Sequence, residues 1–139
     1  MSRQLSLAIL VLAVLAVLAG IQFTKTGDPS ASGCDDVRQA YERVSFAEKS
    51  GDVVTARVYT DVAVTVRQAA AAAPATIAET VGQLGDAYVQ LGNLLRGFDP
   101  DDDSTYHLYE DNAAAIERQQ TVVDDSLPTI GDWLASRCS

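Results

Sequence analysis

One uninterrupted apolar run constrains the chain more than anything else in it. Leu5 to Phe23 reads LSLAILVLAVLAVLAGIQF, with Ser6 and Gln22 as its only polar side chains. Nineteen residues wound as a helix extend about 28 Å at about 1.5 Å each, close to the ~30 Å of a bilayer's hydrocarbon core. Arg3 and the α-amino group precede the run. Positive charge on that side predicts a cytoplasmic N-terminus with the rest of the chain outside. The first reading is therefore a single-pass signal anchor or transmembrane helix over residues 1–23. The alternative is a secreted protein released by signal cleavage, but a signal peptide has an apolar core of only about 7–15 residues before its small-residue site. Here the candidate Val17-Leu18-Ala19 lies inside the run itself.

Residues 24–33, TKTGDPSASG, are short of apolar side chains and carry Gly, Pro and Ser, so they read as a flexible linker. Residues 34–139 then form one extracytoplasmic domain, which is all that 139 residues allow after an anchor. This domain holds eight basic and eighteen acidic side chains, within a whole-chain net charge of -9. Such a balance excludes nucleic acid as a partner, because nothing neutralises phosphates. It also excludes docking on anionic lipid through a basic face.

The only two cysteines, Cys34 and Cys138, stand at the two ends of this domain. Outside the cytoplasm an even pair predicts a disulfide. There is no CxxC, and the single histidine, His107, has no ligand spacing to either cysteine. Ala31-Ser32-Gly33-Cys34 resembles the lipobox of bacterial lipoproteins, with Ala31 where that box usually has Leu. That resemblance implies a lipid on Cys34 and would leave Cys138 unpaired.

Apolar spacing in the domain is helical. Val37, Ala40, Tyr41, Val44 and Ala47 mark a first helix, with Asp35 and Asp36 at its start and Gly51 as a left-handed cap. The next run has alternating valines at Val58, Val62, Val64 and Val66, a strand period. It also has a helical stripe at Tyr59, Val62, Val66, Ala69, Ala70 and Ala73. The alanines favour helix, broken by Pro74. Ile77, Val81, Leu84, Tyr88, Leu91, Leu95 and Phe98 alternate spacings of four and three, an a/d seam, with Ala78, Gly85 and Gly92 beside it allowing a neighbouring helix to approach. Tyr109, Ala113, Ile116, Gln120, Val123 and Leu127 give a fourth helix with Gln120 as its polar exception. Pro128 is expected to stop that helix, and Ile130, Trp133 and Leu134 to form a short fifth, with Trp133 plugging the core. The predicted fold is all-α: an antiparallel four-helix bundle with a short C-terminal fifth helix, behind one membrane helix.

One loop has the composition of a metal site. From Asp99 to Glu110, oxygen donors fall at the EF-hand positions: Asp99, Asp101, Asp103, the carbonyl of Thr105, and Glu110. Ser104 stands where the sharp turn needs Gly, and no second hand is present. The competing reading is a solvated acidic loop in which Asp103 or Ser104 caps the following helix.

No nucleophile stands beside a base in the sequence, and no Gly-rich phosphate loop is present. The expectation is a non-enzymatic, membrane-tethered interaction domain, serving an envelope protein partner. The alternatives are a small calcium-binding module using loop 99–110, or a spacer without a specific ligand. An interaction domain should expose an apolar patch, expected around Tyr41, Tyr88, Tyr106 and Tyr109.

Overall fold

A computed structural model describes residues 29–50 and 55–139, with side chains from residue 33 onward. The apolar run 5–23, the linker residues 24–28 and the expected cap Gly51 lie outside the described residues. Within them the chain is all-helical: α1 (Pro29–Lys49), α2 (Ala56–Ala72), α3 (Ala75–Leu94) and α4 (Tyr106–Arg137), with one 3-10 turn at Asp103–Thr105 before α4. Among the described residues there is no strand, and no helix is long and apolar enough to cross a membrane.

The four helices form a bundle. α2 packs on α1 and α3, α3 packs on α4, and α4 returns to α1. Its core is the set of seams legible in the sequence. Val37, Ala40 and Val44 come from α1, Tyr59, Val62, Val66 and Ala69 from α2, Ile77 to Leu91 from α3, Leu95 and Phe98 from the turn after α3, and Val123 and Ile130 from α4. The strand period in α2 fails at Val58 and Val64, both exposed. The glycine edge of α3 is a packing device. A Cβ on Gly92 would lie 2.9 Å from Thr60 Oγ1 and 3.4 Å from the Ala56 carbonyl oxygen. One on Gly85 would lie 2.9 Å from Arg67 Cγ. α2 therefore fills the space that these glycines leave.

Three expectations need correction. First, α1 begins at Pro29, inside the stretch read as linker, so Asp35 and Asp36 lie within the helix rather than at its start. Proline is favoured in a helix's first turn, where its missing N–H costs nothing. Gly33 is buried against the α2–α3 junction, where a Cβ would meet Pro74 Cδ at 3.0 Å and the Ala72 carbonyl oxygen at 3.1 Å. Second, Pro128 does not stop the last helix. α4 runs 32 residues through it, and there is no separate fifth helix. Pro128 is exposed, so its lost hydrogen bond falls on the wet side. The turns beyond it are pinned independently by Ile130 in the core and by Trp133, half-buried, whose Nε1–H donates to Thr76 Oγ1 at 3.1 Å. Third, the cap before α4 is neither Asp103 nor Ser104. Asp102 accepts from the Ser104 N–H, and Thr105 occupies the position before Tyr106.

The cysteines are joined. Cys34 and Cys138, 104 residues apart in sequence, form a disulfide with their Cα atoms 5.7 Å apart. Arg38 reinforces this end by donating from Nη2 to the Cys138 carbonyl oxygen at 2.8 Å. With its sulfur bonded to Cys138, Cys34 has no thiol to carry the lipid that the lipobox resemblance implies.

Candidate functional site

The acidic loop is organised by its own backbone. Gly97, at φ +83°, turns the chain after α3, and Phe98 drops back into the core. The Thr105 hydroxyl lies 2.9 Å from the Asp99 carbonyl oxygen and 2.8 Å from that of Asp102, and it accepts from the Asp99 N–H at 2.9 Å. Asp99 Oδ1 accepts from the Asp101 N–H at 3.0 Å, and Asp102 Oδ1 from the Ser104 N–H at 3.0 Å. The hydrogen bonds from Ser104 hold the Asp102 carboxyl below the ordinary carboxylate value. Of the expected calcium ligands, Asp99 and Thr105 are thus tied together as a staple. Asp101, Asp103 and Glu110 point to solvent. Among the described residues no group of three or more His, Cys, Asp or Glu side chains is placed to hold a metal ion. His107, exposed, donates from Nδ1 to the Ser104 carbonyl oxygen at 2.9 Å.

The four tyrosines expected to share one exposed patch are separated by the fold. Tyr88 is fully buried. Tyr106, 52% exposed, and the half-buried Tyr109 gather instead around Phe98, with ring centroids 5.7–6.3 Å apart. Aromatic groups at such separations attract beyond their burial. The result is a small aromatic cluster beside the acidic loop. Phe46 on α1 is the most exposed large apolar side chain described, at 77%.

The residue that sequence reasoning missed is Glu48. It sits half-buried near the end of α1, one turn beyond Val44 on the core stripe. Its Oε1 accepts from the Tyr88 hydroxyl at 2.7 Å, and its Oε2 from Gln120 Nε2 at 2.7 Å. One carboxylate therefore joins α1, α3 and α4. Both distances are short, as bonds to an ionised acceptor are. Tyr59 stacks edge-on against Tyr88, with ring centroids 5.1 Å apart. Burial pushes the Tyr59 phenol up to about 12, with the Glu48 charge adding to it. The Tyr88 phenol is raised further, again first by burial and then by its bond to Glu48. Two signals were available in the sequence: Glu48 on the apolar stripe of the first helix and Gln120 in the seam of the fourth. Neither points to the other without the fold.

Beside this network a cleft of about 340 Å³ opens between α1 and α4. Tyr41, Ser45, Leu127 and Pro128 line it, with Glu48, Lys49 and Asp124 supplying its charges. Gly131 lets Tyr41 come this close, since a Cβ there would stand 3.1 Å from the phenolic oxygen. Comparison with protein-family models, with curated proteins and with solved structures finds no match for the chain.

Proposed function

We propose that the chain is a non-enzymatic interaction domain tethered to a membrane. Residues 5–23 anchor it as a single span with the N-terminus in the cytoplasm, and an antiparallel four-helix bundle stands outside, where it engages a protein of the cell envelope. The observation that carries this reading is the Cys34–Cys138 bond. Disulfides that staple domain ends persist in oxidising compartments, and this one begins eleven residues after the apolar run. The antiparallel arrangement rests on contacts at helix ends. The start of α1 meets the ends of α2 and α4, and the start of α3 meets the end of α4. The partner-binding role rests on the aromatic cluster at Tyr106 and on exposed Phe46, since aromatic side chains are enriched where protein partners anchor.

The test is made on the full chain in intact cells. The protein should remain in membranes after an alkaline wash, its C-terminal domain should be cut by protease added from outside, and its thiols should resist alkylation until reduced. A photo-crosslinking residue in place of Tyr106 or Phe46 should give a discrete adduct, and one in place of exposed Ala72 should not. Freely alkylated thiols, or a chain found in the soluble cytoplasmic fraction, would overturn the proposal.

A further inference from the structure

The cleft between α1 and α4 has a charge arrangement that its own residues leave incomplete. Glu48 is half-buried and fixed in direction by Tyr88 and Gln120, both neutral donors. Each carboxylate oxygen accepts about two hydrogen bonds, so one acceptor site remains on each. Among the described residues the only ion pairs are Arg38–Asp35 and Arg57–Asp61. Lys49 lines the same cleft without pairing to Glu48 or Asp124. The cleft therefore carries two carboxylates against one ammonium. A partly desolvated carboxylate held only by neutral donors is stabilised further by a cation brought to it.

The walls define the remainder of the ligand. Leu127 and the Pro128 ring are apolar, and Tyr41 presents an aromatic ring of the kind that attracts cations. The cleft is an open-sided groove of about 340 Å³, which suits a single small group rather than a large cofactor.

We propose that this cleft binds one organic cation, an ammonium or guanidinium group on a short apolar stem, with Glu48 as its counter-ion. The site uses only residues 41–49 and 124–128, so it stands or falls independently of the membrane tether and of the aromatic cluster.

The full chain, isotopically labelled and held in detergent micelles, is titrated with butylguanidinium and with n-butylammonium. Butanol serves as neutral control, and sodium chloride matches ionic strength. Amide shifts at Ser45, Glu48 and Lys49, and of the Gln120 side-chain amide, should saturate with both cations and not with butanol or salt. Glu48→Gln keeps an acceptor for Tyr88 and removes the charge, and should weaken binding about tenfold or more. Asp124→Asn, at an exposed position, should weaken it less, and Lys49→Met should tighten it. If Glu48→Gln loses its helical signal, the opposite signs of the Asp124 and Lys49 variants carry the test. N-acetylarginine N-methylamide distinguishes the source: saturation by it supports a partner's arginine side chain, and saturation by the free amines alone supports a small metabolite. Equal shifts with butanol, or affinity unchanged by both Glu48→Gln and Asp124→Asn, would overturn the proposal.

Discussion

Removing the disulfide is the most quantitative perturbation this fold offers. Cys34 and Cys138 are separated by 104 residues, so the bond closes almost the whole domain into one loop. Cross-linking a loop of that size removes chain entropy from the unfolded state worth about 4.7 kcal/mol. Typical domain stabilities are about 5–15 kcal/mol, so the loss would be a third or more of the total. Unfolding a domain of this length carries an entropy of about 0.22 kcal/mol per kelvin, which converts the loss into a fall in Tm of about 20 °C. The contacts at that end reduce the figure only a little. Arg38 still reaches the Cys138 carbonyl, and Trp133 still reaches Thr76, whether or not the sulfurs are joined. The assay is urea unfolding followed by helical circular dichroism, comparing the oxidised chain with the Cys34→Ser, Cys138→Ser double variant. An entropic bond has a second signature, because the uncrosslinked unfolded chain is more expanded. The dependence of stability on denaturant should therefore steepen in the double variant. A loss below about 1 kcal/mol with an unchanged slope would refute the entropic reasoning, since a loop this long leaves little room for so small an effect.

Other outcomes follow from single contacts. Gly82→Ala should stabilise α3 by about 1 kcal/mol, because nothing lies within 4 Å of the added Cβ, whereas Gly92→Ala should destabilise, because the Cβ meets Thr60 and the Ala56 carbonyl; thermal melts of the two variants check the opposite signs. Pro128→Ala should raise stability by up to about 3 kcal/mol, since it restores a helical hydrogen bond on an exposed face. Tyr88→Phe should cost about 1–3 kcal/mol in denaturant unfolding by taking a donor from the half-buried Glu48 carboxylate. Tyr59 and Tyr88 hold their protons in the fold to higher pH than in the unfolded chain. The stability they contribute is full below the ordinary tyrosine value of 10.0 and is lost as pH rises from there toward about 12, which unfolding curves taken across that window would show.

What was legible in the sequence is what repeats. The seam from Ile77 to Leu91 is buried at each of its five positions in α3, because a period of three and four is imposed by the helix itself, whereas Leu95 and Phe98, expected on the same helix, are buried from the turn that follows it. The disulfide was legible from an even pair of cysteines placed at the two ends of residues 34–139. Elements set by tertiary contact were not. Pro128 breaks an isolated helix, yet here the turns after it are held by Ile130, Trp133 and the disulfide, so the local penalty is outweighed. Gly33 has the composition of a linker, but it is the residue that lets α1 approach Pro74. The acidic loop has the spacing of a metal ligand set, while Thr105, Asp99 and Asp102 spend their hydrogen bonds on the turn and Asp101 and Asp103 stay exposed. Glu48 is invisible as a site because its partners, Tyr88 and Gln120, lie 40 and 72 residues away.

These particulars bear on how α1 is held. It packs less extensively than the α2–α3 pair, and its exposed face includes Phe46. Two devices fix it, one at each end. The disulfide and the Arg38 bond secure its start to the end of α4, and Glu48 secures its end to the middle of α3 and of α4. A force applied at the start of α1 passes across a covalent bond to Cys138, so it does not peel α1 away as it would peel a helix held only by side-chain packing. At the far end of α1 the restraints are non-covalent: Val44 and Ala47 are buried, and Glu48 accepts two hydrogen bonds. That carboxylate also lines the cleft, so an occupant that engages Glu48 acts on the polar clamp at that end of α1.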